Sequence, residues 1–213
     1  METPSPSGIR PRLGDSLELE QQQESVERMA IYAAQIEGMD RGIGQILDTL
    51  EATKQLDNTL ILFLADNGGT AEGRNFGFER TPGATLGTAA SFASYGQGWA
   101  TLSNTPFREY KHWVHEGISS PLIAHWPRGI IERGRVRTAP THLIDIMPTC
   151  VELGRAKHPN KRPEHTVPPM EGQSMVTLFK GMSADREDLC WEHEGPRAIR
   201  RQQWKLVSKF EQP

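Results

Sequence analysis

The sequence predicts an α/β protein with a small antiparallel sheet near the end of the chain. Three observations indicate this class: a long amphipathic helical pattern, a short apolar run with the character of a buried strand, and three strand-like segments close together after residue 188. The length of 213 residues suits one domain or slightly more. We therefore expect a helix-and-sheet core followed by a smaller meander.

A long helix is predicted from about Ser16 to Lys54. Apolar residues recur there at three- and four-residue steps, with charged and amide side chains between them. One face should therefore lie on a core. Gly42 and Gly44 each weaken a helix by about 1 kcal/mol relative to alanine, so we expect close packing around them. The apolar positions are Met29, Tyr32, Ile36, Met39, Ile43, Ile46 and Leu50.

The apolar run from Thr59 to Ala65 predicts a buried strand. The run is apolar on both faces, which favours a parallel sheet with helices above and below. A second strand of this kind is predicted at Pro121–Trp126, closed by Pro127. Residues 68–110 are rich in small and polar side chains with little periodicity. Such long stretches in compact domains are usually functional loops.

The last third of the sequence changes character. Residues 139–153 predict a helical segment that Pro148 either breaks or starts, and residues 155–187 are irregular and rich in proline. Three short strands are then predicted at 189–193, 197–201 and 204–208.

This pattern divides the chain into three regions. We expect a disordered lead-in over residues 1–15, an α/β core over 16–155, and a linker with the start of an antiparallel subdomain over 156–213.

Composition excludes several classes of function. The 24 basic and 27 acidic side chains give a formal net charge of -3, without the basic stripe of a nucleic-acid binder. Cys150 and Cys190 lie outside any CxxC, so they predict no zinc site and require no disulfide. No apolar run approaches the length of a membrane span. The first residues also lack the apolar stretch of a signal peptide.

Asp66-Asn67-Gly68-Gly69 directly follows the first predicted strand. Ligands of open α/β sheets bind just beyond the carboxyl ends of strands, and carboxylate and amide oxygens suit Ca²⁺ or Mg²⁺. Asn-Gly is also a common turn signal. The non-alternating strand before it, with no partner strand directly after it, argues against a hairpin. Both interpretations stay open from these residues alone.

A second polar cluster contains Lys111, His112, His115 and Glu116. A lysine beside a bound cation could hold an oxyanion such as sulfate or phosphate. The alternative is a solvated charged loop. His112 and His115 could share a helical face and bind a metal, but no third ligand stands at a convincing spacing. The sequence contains no P-loop, GxGxxG, GxSxG or HExxH motif.

The order of these segments resembles that of the type I sulfatases. Residues 29–44 are similar to the family's long helix, residues 57–69 to its strand and calcium loop, and residues 111–127 to its lysine segment. Further similarities follow in the family's order, at residues 142–149, 172–174 and 191–200. The resemblance covers roughly residues 20–208.

This resemblance implies an alkaline-phosphatase-like α/β core, present in part, and arylsulfatase-like hydrolysis of sulfate esters. It implies that Asp66 and Asn67 are calcium ligands and that Lys111 is a catalytic residue that holds a sulfate oxygen. His115 would line the pocket for the substrate, a small sulfate ester or a sulfated glycan. A periplasmic or secreted location is also implied by the resemblance alone.

The sequence departs from the family pattern in two respects. The family's nucleophile is a formylglycine made from a C/S-x-P-x-R motif, and this motif is absent. We therefore expect the chain to be the C-terminal portion of a sulfatase, truncated at both ends and inactive alone. Where the family usually has Glu-Gly-Gly, this sequence has Glu116-Gly117-Ile118. The alternatives are a phosphate mono- or diesterase of the same superfold, or a non-catalytic remnant that binds a cation or a partner.

Overall fold

The structure, a computed structural model, describes residues 17–73, 77–107, 109–111, 119–163, 165–186 and 188–208. The predicted lead-in therefore lies outside the described residues. The helices are α1 (Leu19–Ala52), α2 (Gly96–Ser103), α3 (Ile146–Leu153) and α4 (Val176–Phe179). The strands are β1 (Ile61–Leu64), β2 (Leu122–His125), β3 (Lys161–Arg162), β4 (His165–Thr166), β5 (Leu189–Glu192), β6 (Arg197–Arg201) and β7 (Trp204–Ser208).

Helix α1 confirms the long predicted helix. The backbone N–H of Glu18 donates to Oε1 of Gln21 at 3.3 Å, which satisfies one free donor at the helix start. Arg28 is buried, whereas Ile36, Met39 and Ile46 are 43%, 50% and 61% exposed. The described residues therefore cover the first half of the apolar face better than the second. None of the described helices is long and apolar enough to cross a membrane.

The prediction of close packing around Gly42 and Gly44 is wrong for the described part of the chain. A Cβ placed on either glycine would have no described atom within 4 Å. Their cost to the helix is therefore not offset by contacts with these residues.

Strands β1 and β2 form a two-stranded antiparallel sheet, so the prediction of a parallel sheet is wrong for this pair. Leu64 lies opposite Leu122, and Ile61 lies opposite His125. The direction follows from the loops, because the hydroxyl of Ser120 donates to the carbonyl of Asn67 at 3.0 Å. The chain therefore enters β2 beside the end of β1. The predicted burial is also wrong among the described residues, since Phe63 and Ile123 are 43% and 59% exposed. An apolar run carries no information about strand direction.

The meander predicted near the end of the chain is confirmed. Strands β5, β6 and β7 pair antiparallel in sequence order. Leu189 on β5 and Ala198 on β6 are buried, whereas β7 is exposed along its whole length. The irregular region before it contains the β3–β4 pair and the short helix α4.

Asp145 is the polar centre of the region around α3. Its side chain is fully buried and accepts hydrogen bonds from both terminal nitrogens of Arg186, with Nη2 to Oδ1 at 3.0 Å. The backbone N–H groups of His142 and Gln173 also donate to this carboxylate, at 2.8 and 2.9 Å. The carboxylate therefore joins three separate segments of the chain.

The predicted helical segment at 139–153 is confirmed in its second half. A 3₁₀ turn at Leu143–Asp145 leads into α3, and Pro148 lies in the first turn of the helix, where its missing N–H has no partner to lose. The indole N–H of Trp191 donates to Nε2 of His142 at 3.1 Å, which links β5 to the start of this turn.

We expect Asp145→Asn to lower the free energy of unfolding by about 3–5 kcal/mol, because it leaves the largely buried Arg186 guanidinium without its counter-charge. Urea unfolding followed by circular dichroism measures this loss. Asp188→Asn is the control, since Asp188 pairs with the exposed Arg201 at the surface and its loss should be far smaller. Equal losses in the two variants would contradict the assigned role of Asp145.

Candidate functional site between the Asp66 loop and Lys111

The Asp66-Asn67-Gly68-Gly69 loop leaves the end of β1. Asp66 is exposed and Asn67 is half-buried. Gly69 fits a narrow space, because a Cβ there would lie 2.9 Å from the hydroxyl of Tyr95 and 3.2 Å from the carbonyl oxygen of Ala100. Glycine is thus required by close packing against α2 and the residue before it.

Lys111 returns to this loop from far along the chain. Its backbone N–H donates to the carbonyl of Gly69 at 2.9 Å. Its Nζ donates to Oε1 of Glu72 at 3.2 Å, and its side chain is 37% exposed. The structure thus brings Lys111 together with the loop that carries Asp66 and Asn67. His115, His112 and the Glu116-Gly117-Ile118 segment lie outside the described residues.

Arg28 holds the segment between the two motifs on helix α1. Its buried guanidinium donates to the carbonyls of Ser94 at 2.9 Å and Phe78 at 3.3 Å. It also pairs with Glu24 at 2.8 Å and Glu79 at 3.2 Å. The cation therefore satisfies two backbone carbonyls while its charge is compensated by two carboxylates, which burial of an arginine requires.

Helix α2 is fixed against α1 by aromatic side chains. The indole N–H of Trp99 donates to the hydroxyl and the carbonyl of Ser25, at 2.9 and 3.0 Å. The rings of Tyr32 and Tyr95 lie 4.9 Å apart between centroids. The loop predicted over residues 68–110 therefore contains a helix that is docked on α1, which its low periodicity did not indicate.

Tyr95 lies buried beneath the candidate site. Burial raises the pKa of its phenol above the ordinary value of 10.0, and the nearby Tyr32 raises it further. Hydrogen bonds with Ser103 and the backbone of Thr70, together with the charge of Lys111, act in the opposite direction. Gln97, also buried, donates from Nε2 to the hydroxyl of Tyr110 at 2.9 Å. The side chains next to Lys111 in this part of the site, those of Tyr95, Gln97 and Tyr110, are therefore neutral hydrogen-bonding groups.

The donor set suits a hard cation only in part. Asp66 and Asn67 offer oxygen atoms, which Ca²⁺ prefers, but Ca²⁺ takes about six to eight ligands. Among the described residues, no group of three or more histidine, cysteine, aspartate or glutamate side chains could hold a metal. The two residues fit as part of a calcium site that needs further ligands.

Asn104 and Glu72 were not singled out from the sequence. Asn104 comes seven residues before Lys111 in the sequence, and its amide contacts Gly69 and Glu109. Its only sequence signal is an asparagine in a loop, which is common in turns. Glu72 lies in the described part of the loop that follows Gly69, and its pairing with Lys111 depends on a tertiary contact.

We expect the stability of the protein to fall more steeply than that of a Tyr95→Phe variant as the pH rises from about 10 upward. Because the folded state raises the pKa of Tyr95, the phenol's contribution is fully present below pH 10.0 and is lost as the pH rises through the folded pKa. Urea unfolding of both proteins across this range measures the difference. A constant gap between the two curves would contradict the prediction.

The sequence model of the sulfatase family matches residues 10–156. An uncharacterized sulfatase of Schizosaccharomyces pombe is 31% identical over 96% of this chain and 40% of its own length. An arylsulfatase of Klebsiella aerogenes is 31% identical over 83% of this chain and 40% of its own length. The chain thus spans about two fifths of the length of these relatives.

A solved structure is also similar, the phosphonate monoester hydrolase of Silicibacter pomeroyi. It is 21% identical, with a TM-score of 0.48, over 79% of this chain and 30% of its own. The family match agrees with the fold class expected from the sequence, a partial alkaline-phosphatase-like α/β core with a small antiparallel sheet. Since the family model covers more than half of its residues, the chain belongs to the sulfatase family.

Proposed function

We propose that this chain supplies part of the active site of a calcium-dependent sulfate ester hydrolase of the arylsulfatase kind. The observation that supports this is the 2.9 Å hydrogen bond from the Lys111 N–H to the Gly69 carbonyl. It joins the backbone of a residue with a cationic side chain to the loop that carries the two proposed oxygen ligands. Such a pairing suits an oxyanion that is held between a hard cation and a lysine.

Asp66 and Asn67 would provide two oxygen ligands to Ca²⁺. A bound Ca²⁺ would neutralise negative charge on the sulfate oxygens. In the structure, Glu72 compensates the charge of Lys111. Because both side chains are substantially exposed, their ion pair is weak and a sulfate oxygen can replace the carboxylate.

Lys111 would then donate a hydrogen bond from Nζ to that sulfate oxygen, and its charge would stabilise negative charge that develops during cleavage of the ester. His115 would line the substrate pocket. The substrate would be a small sulfate ester or a sulfated glycan.

The 213 residues contain no C/S-x-P-x-R sequence, so they lack the residue that the family converts to its nucleophile. We therefore propose that this chain does not hydrolyse sulfate esters by itself. Lys111, together with Ca²⁺ held in part by Asp66 and Asn67, would bind and orient a sulfate group, but none of these residues offers a group to attack sulfur.

We expect the purified 213-residue chain to hydrolyse an aryl sulfate no faster than buffer does, with Ca²⁺ present or absent. Release of the phenol, followed by absorbance, measures the rate. Lys111→Ala is compared with Lys54→Ala, a lysine just beyond the end of α1. Hydrolysis that only Lys111→Ala abolishes would overturn the proposed inactivity.

The gene provides a separate test of the enzymatic proposal. An in-frame C/S-x-P-x-R motif upstream of the Met1 codon would support a sulfatase and exclude the interpretation as a non-catalytic remnant. A gene without such a motif would contradict the proposal.

We expect the chain to bind Ca²⁺ with a dissociation constant in the millimolar range or weaker, because two oxygen ligands are far fewer than about six to eight. Calorimetric titration measures this affinity. Asp66→Asn should abolish the signal, and Asp48→Asn, an exposed carboxylate on α1, should leave it unchanged. Micromolar affinity, or binding that survives Asp66→Asn, would contradict the proposed ligand set.

A further inference from the structure

Asn104 uses its side-chain amide to connect three separate segments. Its Oδ1 accepts a hydrogen bond from the N–H of Gly69 at 3.2 Å. Its Nδ2 donates to the carbonyl of Ala100 at 3.1 Å and to that of Glu109 at 2.7 Å. Both N–H donors and one acceptor position of the amide are therefore engaged, which is most of what an asparagine side chain offers.

These contacts place Asn104 between the two halves of the candidate site. Gly69 receives a hydrogen bond from Lys111 on its carbonyl and donates one to Asn104 from its N–H. Glu109, two residues before Lys111, is held through its carbonyl by the same amide. One side chain thus fixes the Asp66 loop and the backbone that leads into Lys111.

The backbone next to Lys111 needs this support. Glu109 adopts a left-handed conformation, with φ of 61°, which is unfavourable for a residue other than glycine. Asn104 also ends α2, and its carbonyl accepts from the N–H of Phe107 at 2.8 Å, which turns the chain back. The hydrogen bond to the Glu109 carbonyl holds the strained residue at the end of that turn.

We propose that Asn104 is a positioning residue of the sulfate site: it sets the backbone of Lys111 against the Asp66 loop. This inference rests on the proposed function for the role of Lys111, whereas the connection that Asn104 makes is independent of it. A residue that only terminated α2 would need the contact with Ala100 alone. The contacts with Gly69 and Glu109 are what the positioning role requires.

The test uses Asn104→Asp and Asn104→Ala in the full 213-residue chain. The aspartate keeps an oxygen for the Gly69 N–H but loses both donors, and the alanine loses all three contacts. Thr101→Val is the matched control, because Thr101 lies in α2 and its hydroxyl donates to the carbonyl of Gln97 in the same helix, at 2.8 Å.

Hydrogen exchange followed by NMR is the first measurement. We expect the Lys111 amide to exchange about thirtyfold faster in Asn104→Asp, as for two lost hydrogen bonds. The Gly69 amide should be affected most strongly in Asn104→Ala. Amides in the middle of α1 should keep their wild-type rates. Unchanged Lys111 exchange in both variants, or acceleration as large in Thr101→Val, would overturn the proposal.

A titration with inorganic sulfate in the presence of Ca²⁺, followed at the same amides, is the second measurement. We expect Asn104→Asp to weaken sulfate binding about tenfold in a chain that is still folded. Lys111→Ala distinguishes the proposed sulfate-binding role of Lys111 from the positioning role of Asn104. If sulfate binding is the same in Lys111→Ala as in the wild type, the proposed function of Lys111 fails, while the exchange rates still decide the role of Asn104.

If both Asn104 variants unfold, hydrogen exchange of the wild-type chain tests the positioning role of Asn104 instead. The positioning role requires one local opening that releases the Asn104 side-chain amide together with the Gly69 and Lys111 amides. Equal free energies of opening for these three groups would support the role. Release of the Asn104 side chain without release of Lys111 would overturn it.

Discussion

The hydrogen bond between the Lys111 N–H and the Gly69 carbonyl is the constraint on which this region depends. It closes the long loop from Gly69 to Lys111, and closing such a loop costs conformational entropy. The structure offsets this cost with contacts along the loop. Arg28 donates hydrogen bonds to the carbonyls of Phe78 and Ser94 within this loop. The side chain of Asn104, near the end of the loop, accepts a hydrogen bond from the N–H of Gly69 at its start. The direction of β2 follows, since the chain starts that strand beside the end of β1.

The sequence predicted the elements whose signal is local. Helix α1 has a regular apolar repeat, and β1 is a continuous apolar run. The strands β5, β6 and β7 are separated by turn residues at Gly195-Pro196 and Gln202-Gln203. The family was also identifiable from the sequence, because six weak motifs in a fixed order are more specific than any one of them.

The features that the sequence did not predict depend on contacts between distant residues. The antiparallel pairing of β1 and β2 depends on the chain coming back beside the end of β1, where Ser120 contacts Asn67. No property of either strand alone encodes this contact. Which elements pack on the second half of α1 is also a tertiary property, and no atom of the described residues lies within 4 Å of a Cβ placed on Gly42 or Gly44. Asn104 looks like an ordinary turn residue until Gly69 and Glu109 are placed next to it. Lys111 and Asp66 remain predicted site residues, and it is the family motif, and not their spacing, that singles them out.

The antiparallel β1–β2 pair also affects how this chain behaves at high concentration. Phe63 and Ile123 lie opposite each other in the register and are 43% and 59% exposed. Within the described residues, neither strand has a partner on its outer edge. Open strand edges beside exposed apolar side chains promote pairing between chains. We therefore expect any association between copies of the described chain to start at this short sheet.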